Sequence, residues 1–256
     1  MQKVILGREE GWRSRLACLL IGVAAWSLVA GAGSEVLAAG STMQQDFRLW
    51  SPVYLTVPLS TSFLGFAEVN PRFGDDVSNL NQLILRTALG YKLNDRWSVL
   101  QGYAWNTVYH DASDQPIFIV EHRVYQQLSY KDTFPFLDAF PSIKINSRSR
   151  LEERWIEHTD GTSLRARTML RVDIPLPKIQ DTAFVTYDEI FFNLNGISGG
   201  PEAGFDQNRF FIGFNHQFLK QFSVDLGYQM QIINSRKEEL VNQMNNMILV
   251  QFWINL

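Results

Sequence analysis

Oppositely charged side chains spaced two residues apart are the groups in this chain best placed to do chemistry. Glu68-x-Asn70-x-Arg72, Arg86, Glu121-x-Arg123, Arg148-x-Arg150-x-Glu152, Arg165-x-Arg167, Glu189 and Arg209 form the set. In extended backbone, residues two apart share a face. Each run therefore aligns guanidinium and carboxylate groups along one side of a strand. Two uses follow. Paired with one another, these groups fill an interior with salt bridges in place of an apolar core. Every buried charge then needs a partner, because stranding one costs about 3–5 kcal/mol. Left in surplus, arginines grip carboxylate or phosphate through two parallel hydrogen bonds. Six arginines lie between positions 148 and 171, against Glu152, Glu153, Glu157, Asp160 and acids on other strands. A positive surplus there would draw in an anionic solute or a phosphate-bearing lipid headgroup.

Nucleophilic catalysis has weaker support. His110 stands near Ser113 and Asp114, and His158 near Asp160 and Ser163, but neighbours in a loop arise readily by chance. His122 and His216 fall on apolar parities near strand ends. No Gly-x-Ser-x-Gly elbow, metal-spaced His/Asp set or phosphate-cradling glycine loop leading into a helix occurs. The reading assigns no catalytic residue, no metal and no cofactor. A lipid-modifying enzyme of lipase, deacylase or acyltransferase type is kept as an alternative.

The elements that must position these charges are strands. From position 43 onward, apolar and polar residues alternate in run after run, as in Phe118, Val120, Val124 and Leu128 against Glu121, Arg123, Tyr125 and Gln127. Later runs set Leu164, Ala166, Leu170 and Val172 against Arg165, Arg167, Arg171 and Asp173. The runs are longer than the roughly 5–6 residues of an ordinary soluble strand, and match the about 9–11 that a tilted strand needs to cross a bilayer. Aromatics gather near run ends: Tyr54, Tyr91, Trp97, Tyr109, Tyr130, Trp155, Phe218, Phe222 and Trp253. Such rings favour the membrane boundary. Short turns at Asn94-Asp95 and Lys220-Gln221 contrast with longer links near 74–79, 110–116, 195–204 and 234–242. The link 131–142 is long, aromatic and stiffened by Pro135 and Pro141. Eleven runs can be counted, whereas bacterial barrels hold an even number. A hidden bend at Pro52 inside the first run is one resolution, and twelve strands are the working count, with ten the alternative.

The amino terminus reads differently. Lys3, Arg8, Arg13 and Arg15 precede the apolar stretch Leu16 to Ala30, and Val36-Leu37-Ala38 offers a small-residue exit. That is the layout of a signal peptide, and fifteen apolar residues fall short of the about 20 needed for a spanning helix. Residues 1–38 are expected to be cleaved and 39–256 to form the barrel domain. Cys18, the chain's single cysteine, precedes the apolar core's end and leaves with it. The mature chain then has no disulfide or thiolate chemistry. Removal of one net positive charge takes the formal charge of −3 to a mildly acidic −4, which argues against nucleic acid as a partner.

Several segments together resemble one family of outer-membrane proteins, catalogued as domain of unknown function 2490. They are Asp46-Phe47-Arg48-Leu49-Trp50, Glu68-x-Asn70-x-Arg72, Trp97 with Gly102-Tyr103, and Glu121-x-Arg123-x-x-Gln126-Gln127. Arg148-x-Arg150-Leu151-Glu152-x-Arg154, Arg165-x-Arg167, Tyr187-x-Glu189-x-Phe191-x-Asn193, Phe205-Asp206-Gln207-Asn208-Arg209 and Gly227-Tyr228 complete the match. The resemblance implies an outer-membrane location and a barrel, and brings no activity.

The expectation is an all-β, transmembrane antiparallel up-and-down barrel with a charge-lined lumen, acting as a small channel, binding or structural protein of the outer membrane. Its partners would be outer-membrane lipid, the barrel-assembly machinery during biogenesis, and a small anionic solute or lipid headgroup. A soluble periplasmic β-barrel binding protein is a second alternative; it would bury the apolar parity and wet the charged one.

Overall fold

The computed structural model describes residues 44–112, 115–134, 143–234 and 243–256. The expected signal segment 1–38 lies outside them. All regular structure among the described residues is strand. The strands are β1 (Gln44–Trp50), β2 (Val53–Pro58), β3 (Phe63–Gly74), β4 (Asn79–Lys92), β5 (Trp97–Ala112) and β6 (Gln115–Phe134). β7 (Ile143–Ile156), β8 (Ser163–Pro175), β9 (Thr182–Asn193), β10 (Gly204–Leu219), β11 (Phe222–Ile233) and β12 (Gln243–Asn255) follow. They form one sheet, each from β3 to β12 antiparallel to the next, closed where β1 and β2 fill the gap between β12 and β3. Charged side chains are therefore held on a wall with no free edge.

The twelve strands occupy eleven places in that wall. Against β12, Trp50 lies opposite Leu249 and Val53 opposite Phe252. Against β3, Trp50 faces Arg72 and Val53 faces Val69. Both registers pass through Ser51-Pro52 without a shift, so β1 and β2 are one stave thinned in the middle. The cause is proline chemistry: Pro52 and the neighbouring Pro71 of β3 have no N–H to give the ladder. The stave stays docked because Ser51 N–H donates to Pro71 O (3.1 Å) and Phe252 N–H donates to Pro52 O (2.9 Å). Each hairpin reverses direction, so an eleventh stave runs the same way as the first. The closing pair must then be parallel, as β1 and β2 are to β12. This seam is the exception to the expected antiparallel pattern.

Some links are shorter than the sequence suggests. Strand β5 continues through Ala112 and β6 begins at Gln115, so most of 110–116 belongs to the ladder. Likewise β6 runs to Phe134 and takes in the start of the link expected at 131–142. The remainder of that link, with both prolines, lies outside the described residues. Link 194–203 stands at the end where β1 starts; links 59–62, 93–96, 176–181 and 220–221 stand at the other, where β12 finishes.

Burial inverts the pattern of a soluble protein. Among the described residues, buried polar or charged side chains number 23 and buried hydrophobic ones 12, so polar groups outnumber apolar ones in the interior. Leu85, Leu89, Leu151, Phe214 and Leu226 are exposed on the outer face. Rings pair on that face at the β12-terminal end: Phe63 with Tyr91 (5.1 Å), Trp97 with Tyr130 (4.7 Å) and Phe218 with Phe222 (5.7 Å). Two aromatics assigned to the rim from sequence, Tyr54 and Trp253, instead turn inward and stack on each other at 4.2 Å. Their parity, shared with Glu68 and Asp225, decides this. Glycine makes room for inward rings. Gly213 and Gly227 face each other across β10 and β11, and a β-carbon on either would strike the partner's backbone and the Phe211 ring. Phe211 in turn stacks on Tyr187 at 4.7 Å.

Substituting Gly227→Val should overpack this contact and cost about 1–3 kcal/mol. The measurement is the urea midpoint of the protein refolded in detergent micelles; an unchanged midpoint would show that Phe211 does not rest on the glycines.

Candidate functional site: an arginine-rich lumen

The inward positions of β3 to β11 bring ten arginines (Arg72, Arg86, Arg123, Arg148, Arg150, Arg154, Arg165, Arg167, Arg171 and Arg209) into one interior with seven carboxylates (Glu68, Glu121, Glu152, Asp173, Glu189, Asp206 and Asp225). Since cations outnumber acids, three of the seven acids, Glu121, Glu152 and Glu189, each serve two or more arginines. Glu121 takes Arg123 (2.6 Å) and Arg154 (2.5 Å), and Asn106 donates to it at 3.0 Å. Glu152 takes Arg165 (2.6 Å) and Arg167 (3.2 Å), with Arg150 at 3.6 Å. Glu189 takes Arg167 and Arg148, both at 2.7 Å. Glu68 holds Arg86 at 2.5 Å. Several pairs join strands that are not neighbours in the sheet, such as Arg171 to Asp225 (2.5 Å, β8 to β11) and Arg165 to Asp206 (3.1 Å, β8 to β10). Only side chains meeting inside the cylinder can do this.

All twelve charged residues singled out from the sequence are gathered in this interior: Glu68, Arg72, Arg86, Glu121, Arg123, Arg150, Glu152, Arg165, Arg167, Glu189 and Arg209 are buried, and Arg148 is partly so. The surplus expected along 148–171 is largely cancelled there by Glu152, Glu189, Asp173, Asp206 and Asp225. It reappears elsewhere, at Arg72 and Arg209, whose hydrogen bonds among the described residues go to the amides of Gln82, Asn70 and Gln207.

The interior is only partly ionic. Trp50, Val185, Tyr187, Phe211, Met247 and Leu249 form an apolar cluster on β1, β9, β10 and β12, with Met169 against it. Sequence reasoning missed this half, although the parity of Met247 and Leu249 with Gln251 was there to be read. Arg72 lies over the cluster's Trp50 ring (3.7 Å), and elsewhere in the interior Arg150 lies over Tyr125 (4.2 Å) and Arg167 over Phe191 (4.5 Å). Such contacts stabilise a cation by about 0.5–2 kcal/mol each.

Free space is unequal along the axis. A vestibule of about 750 Å³ opens beside Gln45, Asp75, Asp76, Ile233 and Gln243, at the end where β1 starts. It reaches inward to Trp50, Arg72, Arg86 and Arg209. Further along, at Tyr54, Arg148, Tyr187, Gln251 and Trp253, a second and much smaller cavity holds only about 70 Å³. The bar across it is bonded in place. Trp253 Nε1 donates to Asp225 (3.0 Å), Tyr187 donates to Gln229 (2.8 Å), and Gln251 donates to the Tyr187 hydroxyl (3.3 Å).

The histidine constellations are not assembled among the described residues. His158 is exposed in a loop beside Glu157, whereas Ser163 is fully buried in the interior. Asp160 pairs through its backbone with Ser198. His122 meets Tyr103 (2.5 Å), and His216 meets Thr182 (2.8 Å), both on the outer face. Ser113 and Asp114 lie outside the described residues.

The family model described as "Protein of unknown function (DUF2490)" matches residues 47–243. An uncharacterised protein of Methylorubrum extorquens is 34% identical over 195 residues, covering 73% of this chain and 78% of that protein.

Glu152→Ala should leave Arg150 without a carboxylate and Arg165 and Arg167 with one each, at a cost of about 3–5 kcal/mol in unfolding free energy. Leu151→Ala, one residue away on the outer face, serves as the comparison. Equal shifts in the two variants' denaturation midpoints would mean that the ionic network does not hold the interior together.

Proposed function

The chain belongs to the DUF2490 family, and from the geometry of its lumen we propose that it is an outer-membrane β-barrel that binds a small solute in a blind vestibule instead of conducting freely. One observation carries the reading: a cavity of about 750 Å³ at one end of the lumen and, beside the bonded bar, a second cavity of only about 70 Å³. The larger volume lies in the roughly 300–1,000 Å³ range of small-molecule sites. A free-diffusion pore would need open space along its whole length.

The membrane location is supported by the inverted faces. An exposed leucine and phenylalanine wall around a charged interior is stable where lipid is the outer solvent, and a closed sheet leaves no unpaired backbone there. Paired aromatic rings on the outer face fit a headgroup boundary. Polar groups on the outer face tend to satisfy each other: Asn208 donates to Asp188 at 2.9 Å, and Ser149 and Thr168 lie 3.0 Å apart. In the usual arrangement longer loops face outward from the cell; the long link 194–203 at the vestibule end supports an exterior mouth.

Two measurements test the proposal. The processed protein should fractionate with the outer membrane and change gel mobility on boiling; recovery as a soluble periplasmic protein would end the membrane reading. In planar bilayers it should show no conductance steps, whereas the Tyr54→Ala, Trp253→Ala double variant should show them. Sustained steps from the unmodified protein would mean an open channel.

A further inference from the structure

We infer that the deep part of the vestibule is a site for one anionic group, a carboxylate or phosphate, held by Arg72 and Arg209 beside Trp50. The inference rests on the blind-vestibule reading and names what fills it. Its basis is a difference among the interior arginines. The other eight each have a carboxylate oxygen within 4.0 Å, whereas Arg72 and Arg209 have none among the described residues. Arg72 donates to Gln82 (2.7 Å) and Asn70 (3.3 Å), and Arg209 donates to Gln207 (3.0 Å). These are neutral amides, which offer a dipole and no countercharge. The buried Nε of Arg209 meets no acceptor.

Both residues are nonetheless deeply buried, at 7% and 9% exposure, and both converge on one ring. Their guanidinium carbons stand 3.7 and 4.9 Å from the Trp50 ring centroid. The indole offsets part of the cost of a buried cation. It does nothing for the repulsion between two cations sharing it, which a weakly polar interior strengthens. An anion placed beside both turns that repulsion into two attractions and supplies the acceptor that Arg209 Nε lacks. Arginine suits the task because its planar fork takes two oxygens of a carboxylate or phosphate at once.

Access and shape narrow the ligand further. Both arginines line the vestibule, whose mouth is axial, and every stave of the wall is paired to its neighbours. The ligand therefore arrives from water along the barrel axis, not sideways from lipid. The mouth carries Asp46, Asp75 and Asp76, with Asp46 tied to Arg48 at 2.6 Å. A second negative charge at the ligand's outer end would meet these acids. The fitting molecule is water-soluble, of metabolite size, anionic at one end and neutral or cationic at the other.

The test is a tryptophan-fluorescence titration of the full mature protein in detergent micelles, with inorganic phosphate and with glycerol 3-phosphate. A saturable change is expected, absent in Trp50→Phe. Arg72→Gln and Arg209→Gln should each weaken binding about tenfold or more, as loss of a charge-assisted hydrogen bond does, and Arg209→Lys should fall between. Boiling-dependent gel mobility checks that each variant is folded; where a glutamine variant is not, Trp50→Phe and Arg209→Lys decide. No saturable change, or one untouched by these substitutions, overturns the site. A parallel titration in nanodiscs compares phosphatidylcholine with phosphatidylglycerol. A signal that follows the lipid and ignores dissolved phosphate overturns the water-borne source. Anion-insensitive fluorescence together with silent bilayers would remove this inference alone, whereas open-channel currents would remove the vestibule itself.

Discussion

A charge inside this barrel must find its counterion across the lumen, and most of the structure follows from that demand. The Glu152 carboxylate meets Arg165, Arg167 and Arg150, and Arg167 passes the chain on to Glu189 and Arg148. The carboxylates are shared because they are fewer than the arginines. Sharing ties β7, β8 and β9 together through their side chains as well as their backbones, and Asp206 and Asp225 extend the tie to β10 and β11. A purely apolar interior could slide or repack. An ionic one penalises each broken contact by leaving a buried charge alone, so it holds the strands in a single register.

Much of this was readable in the sequence, because strand parity is a strict rule. Spacing by two put Arg148, Arg150 and Glu152 on one face and Leu151 on the other, and the structure keeps them there. The possible break at Pro52 was legible too, since proline removes a ladder donor wherever it sits. What parity cannot show is which residues on different strands meet. Arg171 and Asp225 are 54 positions apart, and nothing local links them. Parity also says nothing about whether an inward ring lines a rim or fills the middle, and so Tyr54 and Trp253 were placed at the boundary when they belong to the bar. The apolar half of the lumen was hidden for a related reason. Leucine or methionine on a face otherwise rich in glutamine and asparagine reads as noise until Met247, Leu249 and Phe211 are seen packed together.

The odd number of staves gives the first strand a special position. The ten strands from β3 to β12 alternate in direction, so β3 and β12 run opposite ways and β1 with β2 is a parallel insert between them. That insert carries Trp50 into the interior and places it at the border between the ionic half of the lumen and the apolar one. Without the stave, Arg72 would lose the ring beneath it and the apolar cluster would lose its largest member.

The same border explains why the arginines without a salt bridge among the described residues occur where they do. Arg72 has Trp50 on one flank and Gln82 on the other, so neither register neighbour offers an anion. Arg209 does have an acidic neighbour in register, Glu189, but that carboxylate is already engaged by Arg167 and Arg148. Its other flank is Gln231. Competition for a limited number of acids therefore leaves two cations over at the point where the ionic half gives way to aromatic side chains, and the vestibule ends at that point. In the proposed blind vestibule, the bar at Trp253 interrupts the lumen and the two arginines line the cavity on its other side. On that proposal, attraction of an anion and refusal of free passage have a common origin: more arginines than carboxylates, in a cylinder partly filled with rings.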